Sequence, residues 1–287
     1  MLEKIQTPDW MATETEKAGA LAKQQRVLDS IRPLDSLLIA FSGGADSAYL
    51  AWAAHNAIGN RALAVTALSP SFSRHDREHA EACVRAMKFP HEFIETREFE
   101  NPLYVANQAD RCYHCKHELF ERMEALARER NFHAIAYGIN ADDTGDFRPG
   151  HRAATEHHIL APLLDAGLKK AEIRLLSRIA GLPTWDRPAS PCLSSRVPYG
   201  TSVTPELMEK IERAEAAVRK LGFRQFRVRA HGELARIELA PDELPRGLQM
   251  DLAQRLAASF KELGFQSVAL DPEGYRQGSL NSLLKTT

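Results

Sequence analysis

Four short strand-like segments, spaced by stretches of helical character, limit this chain to a parallel sheet covered on both faces. They fall at 36–41, 61–68, 91–96 and 133–137, and helical patterns fill 15–31, 47–56, 74–87 and 115–130. Strands that are apolar throughout are buried on both faces, and strands alternating with helices give parallel order. The pattern changes at 182–198, where Pro183, Pro188, Pro191 and Pro198 read as a linker or an ordered loop. Beyond it the sequence predicts a helix over 205–221 and a hairpin over 223–230 and 234–239, turning at 231–233. A helix over 247–263 and a strand over 267–270 complete a small α+β unit. The expected division is an N-terminal extension (1–21), an α/β parallel-sheet domain (22–187) and a smaller α+β C-terminal domain (188–287).

At 287 residues, with 44% hydrophobic and 26% charged residues, the chain is globular and not disordered. A chain of this length buries roughly three quarters of its unfolded surface. The formal net charge of −1 gives no global drive toward nucleic acid; Arg224, Arg227, Arg229 and Arg236 form the densest basic patch. No apolar run is long enough to span a bilayer, so no membrane partner is expected. The acidic N-terminus (Glu3, Asp9, Glu14, Glu16) lacks the apolar core of a signal peptide. The expected compartment is the cytoplasm.

The first strand runs directly into Ser42-Gly43-Gly44-Ala45-Asp46-Ser47 and then a helix. Gly43 and Gly44 let the backbone approach an anion closely and adopt positive φ. The helix behind them aims free N–H groups and its positive dipole end at that anion. Ser42 and Ser47 add hydroxyl donors, and Asp46 suits Mg²⁺ beside the phosphates. A plain N-cap with a tight turn is the bland alternative; strand, loop and helix together favour a phosphate site. The spacing is not that of a Walker A loop, because no Gly-Lys-Ser/Thr follows.

Four cysteines are present: Cys83, Cys112, Cys115 and Cys192. In a reducing compartment they point to metal binding or catalysis before disulfides. Cys112-Tyr113-His114-Cys115, read as lying just before a helix, can grip one metal or part of a cluster, and a third ligand must come from elsewhere. Cys192, at the presumed domain junction, supplies it, and three cysteines leave one iron of a [4Fe-4S] cluster open for an exogenous sulfide. Half of a zinc site, joined by His114 or His117, and unligated, merely polar thiols are the competing readings. Cys83 reads as a small core residue, and His55, His75 and His91 as surface or satisfied core residues.

After the fourth strand, Asp142, Asp143 and Asp146 sit where ligand loops gather in parallel sheets, suited to Mg²⁺ or ribose. Arg196, Arg229 and Arg276, each in a Gly- or Pro-containing context, together point to a second anion site.

The loop at 42–47 resembles the PP-loop of the N-type ATP pyrophosphatases, which implies ATP as substrate, release of pyrophosphate and adenylation of a carbonyl or carboxylate oxygen. Segments 41–47, 110–116, 137–150, 191–200 and 270–279 together resemble the LarE-type ATP-dependent sulfurtransferases, over about 36 to 280. That resemblance implies adenylation of pyridinium-3,5-biscarboxylic acid mononucleotide, followed by sulfur displacing AMP. Ser42, Gly43, Gly44, Asp46, Ser47, Gly138 and Asp142 are the candidates for the nucleotide and Mg²⁺, and Arg196, Arg229 and Arg276 for anionic groups, with Arg229 and Arg276 expected on the mononucleotide phosphate. Cys192 and Asp46 are the catalytic candidates. Family members with only the cysteine matching Cys192 sacrifice its sulfur; those with three carry a four-iron cluster. Cys112 and Cys115 make this chain resemble the second type. A tRNA thiolase of the PP-loop family is the main rival, and an ATP-sensing, zinc-stapled interaction protein the non-enzymatic one. The sulfide donor and the oligomeric state, a homo-oligomer included, are left open.

Overall fold

The computed structural model describes residues 13–145 and 149–276. Its elements begin α1 (Glu14–Ile31), β1 (Leu37–Ala40), α2 (Ala45–Ile58), β2 (Ala62–Leu68), α3 (Arg74–Met87) and β3 (His91–Glu95). Then come α4 (Pro102–Val105), α5 (Arg111–Arg130), β4 (Ala134–Tyr137), α6 (Pro149–Glu156), α7 (Pro162–Asp165) and α8 (Lys170–Ile179). The chain continues through α9 (Pro205–Lys220), β5 (Phe226–His231), β6 (Leu234–Leu239), α10 (Leu244–Gly247), α11 (Met250–Glu262) and β7 (Ser267–Leu270). Two compact units result. One comprises the chain up to Leu68, His75–Thr96 and Cys115–Ser190; the other comprises Ser69–Arg74, Arg97–His114 and Pro191 onward. No helix among the described residues is long and apolar enough to cross a membrane.

The first unit is α/β, built on a four-stranded parallel sheet of order β3-β2-β1-β4. β1 is buried at all four positions, as a central strand covered on both faces must be. α2 carries Tyr49, Leu50, Ala53, Ala54 and Ile58 into the core and is buried around much of its circumference. The order places a topological switch beside β1: the chain leaves it toward β2 and returns on its other flank as β4. Connections diverging from adjacent strand ends leave a crevice there. Register puts Ala40 opposite Tyr137, so the loops that follow β1 and β4 emerge side by side.

The second unit is α+β. β5 and β6 pair antiparallel around Gly232 and Glu233, with Gly232 at φ 61°, and β7 joins β6 in parallel. Strand alternation sends Phe226, Val228, Ala230, Ala235, Ile237 and Leu239 into one buried apolar layer. The other face carries Arg227, Arg229, Arg236 and Glu238. The unit is discontinuous in sequence because Asn107 lies fully buried and donates to the carbonyls of Val197, Pro198 and Thr201.

Two local expectations are corrected. The helix placed at 115–130 begins at Arg111, so Cys112 and Cys115 lie inside α5, one turn apart, and not before it. The helix placed at 247–263 is divided into α10 and α11, with Leu248 and Gln249 between them.

Arg196 and Glu215 form a buried ion pair at 2.9 Å in the second unit, and Glu215 also accepts from the Val228 amide. Burial opposes the Glu215 charge, but Arg196 prevails and holds the carboxyl below its ordinary value. The folded pKa thus lies below the unfolded one, so this contribution is full above the unfolded value and lost as pH falls through the folded one. Removing one partner of a buried pair strands the other. Glu215→Ala is therefore expected to cost about 3–5 kcal/mol in urea denaturation at neutral pH, and the deficit shrinks on acidification.

Candidate functional site at the end of the first strand

The loop after β1 takes its shape from two glycines with different duties. Gly43 has φ 72°, and a Cβ there would lie 2.9 Å from Ala80 Cβ and 3.1 Å from Ala80 Cα on α3. Left-handed backbone and contact with a neighbouring helix both require glycine. Gly44 is the N-cap of α2 and provides no side-chain cap, whereas Thr13 and Thr204 cap α1 and α9. The first-turn amides of α2 have no intrahelical acceptor, and the N-cap side chain that would occupy one is missing. Ser42 N–H donates to Ser47 Oγ (3.2 Å), and Ser47 Oγ donates to the Gly44 carbonyl (3.2 Å), so the two serines brace the loop.

Gly138 acts from the other side of the switch. A Cβ there would lie 2.9 Å from Ser47 N and 3.0 Å from Asp46 C, so the chain leaving β4 lies directly on the first turn of α2. Its neighbour Asn140, fully buried, donates to Asp46 Oδ2 at 3.3 Å; Lys170 Nζ at the start of α8 does the same at 3.3 Å. Asp46 Oδ1 is buried and accepts no hydrogen bond. Burial pushes the Asp46 carboxyl up; Lys170 opposes this, and Asp143 adds to it. An inward-facing carboxylate oxygen without a protein donor suits a hard cation.

The acidic loop is bound up in this arrangement. Asp142 Oδ2 accepts the Lys170 amide at 2.8 Å, and Asp143 Oδ2 accepts the Asn140 amide at 3.3 Å. Asp142 thus fixes the start of α8, and with it Lys170. Asp146 lies outside the described residues. Arg187 donates to the Gly43 carbonyl and pairs with Asp76 on α3, each at 2.6 Å. Asn140, Lys170 and Arg187 were not singled out from the sequence. Nothing local marks them, since each reaches the loop through the fold. A cavity of about 470 Å³ opens at the opposite end of β4, lined by Glu124, His133 and His157 among others, and shares no residue with the loop.

In the second unit Cys192 is half-buried and caps a short 3₁₀ turn, Leu193–Arg196. Arg196 pins that turn by donating to the carbonyls of Pro191 and Cys192. Arg229 is buried, donating to the Ser195 carbonyl and pairing with Glu238, each at 2.8 Å. Arg276 is half-exposed and pairs with Glu273. Arg196 and Arg229 therefore direct much of their forks to protein groups, and Arg276 stays near solvent. Cys112, Cys115 and Cys192 form no disulfide among the described residues. Among the described residues no three His, Cys, Asp or Glu side chains are gathered to hold a metal. Cys83 is buried, and burial pushes its thiol up to about 11, as the core reading expects.

Fold and loop together define a PP-loop α/β domain carrying a small α+β unit. No family model matches the chain. It is 43% identical over 251 residues to an uncharacterized protein of Synechocystis sp., covering 88% of this chain and 94% of the relative. It is 30% identical over 268 residues to the pyridinium-3,5-bisthiocarboxylic acid mononucleotide synthase of Lactiplantibacillus plantarum, covering 93% and 96%. An uncharacterized protein of Methanocaldococcus jannaschii is 27% identical over 240 residues. The chain belongs to the family of that mononucleotide synthase, the LarE family.

Because the Asp46 pKa is raised on folding, the group favours the fold below its unfolded value, and that contribution is lost as pH rises through the folded value. Charged Asp46 is thus a cost at neutral pH. Asp46→Asn is expected to keep or raise the melting temperature while nucleotide-dependent turnover falls by at least ~10-fold, checked by calorimetry and an AMP assay.

Proposed function

We propose that this protein is an ATP-dependent sulfurtransferase that converts a carboxylate of pyridinium-3,5-biscarboxylic acid mononucleotide into a thiocarboxylate. The carboxylate oxygen attacks the α-phosphorus of ATP, pyrophosphate leaves, and the acyl adenylate forms. A sulfur nucleophile then adds to the acyl carbon and AMP departs with its electron pair. The observation that carries this reading is the uncapped first turn of α2, with the orphaned Asp46 Oδ1 beside it at the sheet's switch point. Its amides suit the charge that develops on departing pyrophosphate. Asp46 is the residue that would hold Mg²⁺, which supplies charge neutralisation. Lys170 orients Asp46 and places a positive charge beside it, and Arg187 holds the Gly43 carbonyl and so the loop's shape.

For the sulfur, Cys112, Cys115 and Cys192 fit a [4Fe-4S] cluster in kind: three cysteines outside any disulfide, two of them one turn apart in α5. Such a cluster would supply an exchangeable sulfide at its open iron. Sacrifice of the Cys192 sulfur is the alternative route within the same reading. Arg229 and Arg276 are assigned to the mononucleotide phosphate, with Arg276 the more accessible of the two. The reading places the enzyme in the cytoplasm, where thiols stay reduced.

Protein isolated without oxygen is expected to be brown, to contain iron and sulfide, and to lose its colour in Cys112→Ala. Retained iron in that variant contradicts the cluster. Mass spectrometry of Cys192 after several turnovers separates the routes: an intact side chain fits a cluster, and loss of hydrogen sulfide fits sacrifice. Arg276→Ala is expected to weaken mononucleotide binding, and unchanged binding removes Arg276 from the site. Tight tRNA binding that falls steeply with salt would favour a thiolase instead.

A further inference from the structure

Arg111 opens α5 and is 4% exposed. Its guanidinium donates to Asn107 Oδ1 and to the Ser194 carbonyl (2.8 Å), and its carbon lies 5.9 Å from the Tyr199 ring centre. One nitrogen is 4.0 Å from Cys112 Sγ. The Ser194 carbonyl belongs to the 3₁₀ turn that Cys192 caps, so one side chain ties the Cys112 turn to the Cys192 turn. All of these groups belong to the second unit.

The imbalance lies in charge. A guanidinium stays protonated in any protein setting, and a buried charge is stable only when paired. Arg196 has Glu215, and Arg229 and Arg236 share Glu238. Arg111 has no carboxylate within 4.0 Å among the described residues. Its oxygen acceptors are a neutral amide and a neutral carbonyl, and its remaining acceptor is the Cys112 sulfur. Burial works against its charge, and Cys192, Cys112, Tyr104 and Tyr199 together outweigh that effect and hold its pKa above the ordinary value.

We infer that Arg111 is the resident countercharge for an anionic sulfur species held at Cys112 and Cys192, and the positioning residue that ties the two cysteine turns together. The inference rests on the sulfur-transfer reading but not on the identity of the sulfur carrier. The ligand class is anionic sulfur: thiolate, hydrosulfide or a thiolate-bound cluster of net negative charge. The guanidinium offsets that charge where solvent is excluded, and its fork to Ser194 and Asn107 keeps it in place.

The test uses the full chain, reduced and free of iron, alkylated at one fixed pH by iodoacetate (anionic) or iodoacetamide (neutral). Rates are read separately at Cys112 and Cys192 by mass spectrometry. Both reagents attack the same thiolate, so their rate ratio cancels its population and reports local charge. The wild-type ratio is expected to exceed that of free N-acetylcysteine several-fold. Arg111→Gln should bring it down to the free-thiol value and Arg111→Lys should keep most of it. A wild-type ratio no higher than the free thiol overturns the inference, and needs no variant to fold. A ratio unmoved by Arg111→Gln also overturns it, since a merely structural role leaves the fork's loss without a charge effect. Anaerobic uptake of iron and sulfide by wild type is measured in parallel. A high ratio without uptake supports the countercharge and ends the cluster reading; uptake with a free-thiol ratio does the reverse.

Discussion

The close approach of two backbones holds this site together. The chain leaving β4 lies against the first turn of α2 with only a hydrogen in place of a side chain at Gly138, 2.9 Å from where a Cβ would meet Ser47 N. Parallel pairing of β1 with β4 brings the two segments side by side. From that contact follow the placement of Asn140 on Asp46, the route by which Asp142 fixes Lys170, and the burial that leaves one Asp46 oxygen without a donor. A larger residue at 138 would part the strands' exits and dissolve the constellation, even with every polar side chain retained.

Charge is managed differently in the two units. Around the loop, each cation is matched to one carboxylate: Lys170 faces Asp46, while Arg187 faces Asp76 and the Gly43 carbonyl. In the second unit, buried arginines are matched to Glu215 and Glu238, which gives the Cys192 turn a rigid frame. Arg111 has no carboxylate within 4.0 Å among the described residues, and it lies beside the Cys112 sulfur.

Much of this was legible in the sequence, and the rest was not for identifiable reasons. The central strands β1 and β2 were readable because they are largely apolar. The phosphate loop was readable because adjacent glycines between strand and helix have few other uses. The start of α5 was misplaced by four residues. Local backbone bonds from Arg111 to Gln108 and from Tyr113 to Asp110 begin the helix within a polar stretch that carries no apolar periodicity. Asn140, Lys170 and Arg187 stayed hidden because their partners lie far away in sequence. The pairing of Arg196 with Glu215 and of Arg229 with Glu238 was likewise hidden, since a sequence does not show which carboxylate a guanidinium meets. The second unit's recruitment of 69–74 and 97–114 was equally invisible, since it depends on Asn107 bonding across some ninety residues.

The central claim is that the loop grips a nucleotide so that the bond between its α- and β-phosphates breaks. β,γ-Imido-ATP tests it directly, because its bridging nitrogen blocks γ-phosphate hydrolysis and leaves the α–β linkage untouched. With the carboxylate substrate present, the account predicts that this analogue is consumed to AMP and imidodiphosphate. Resistance of the analogue, with natural ATP giving ADP and phosphate, would contradict it.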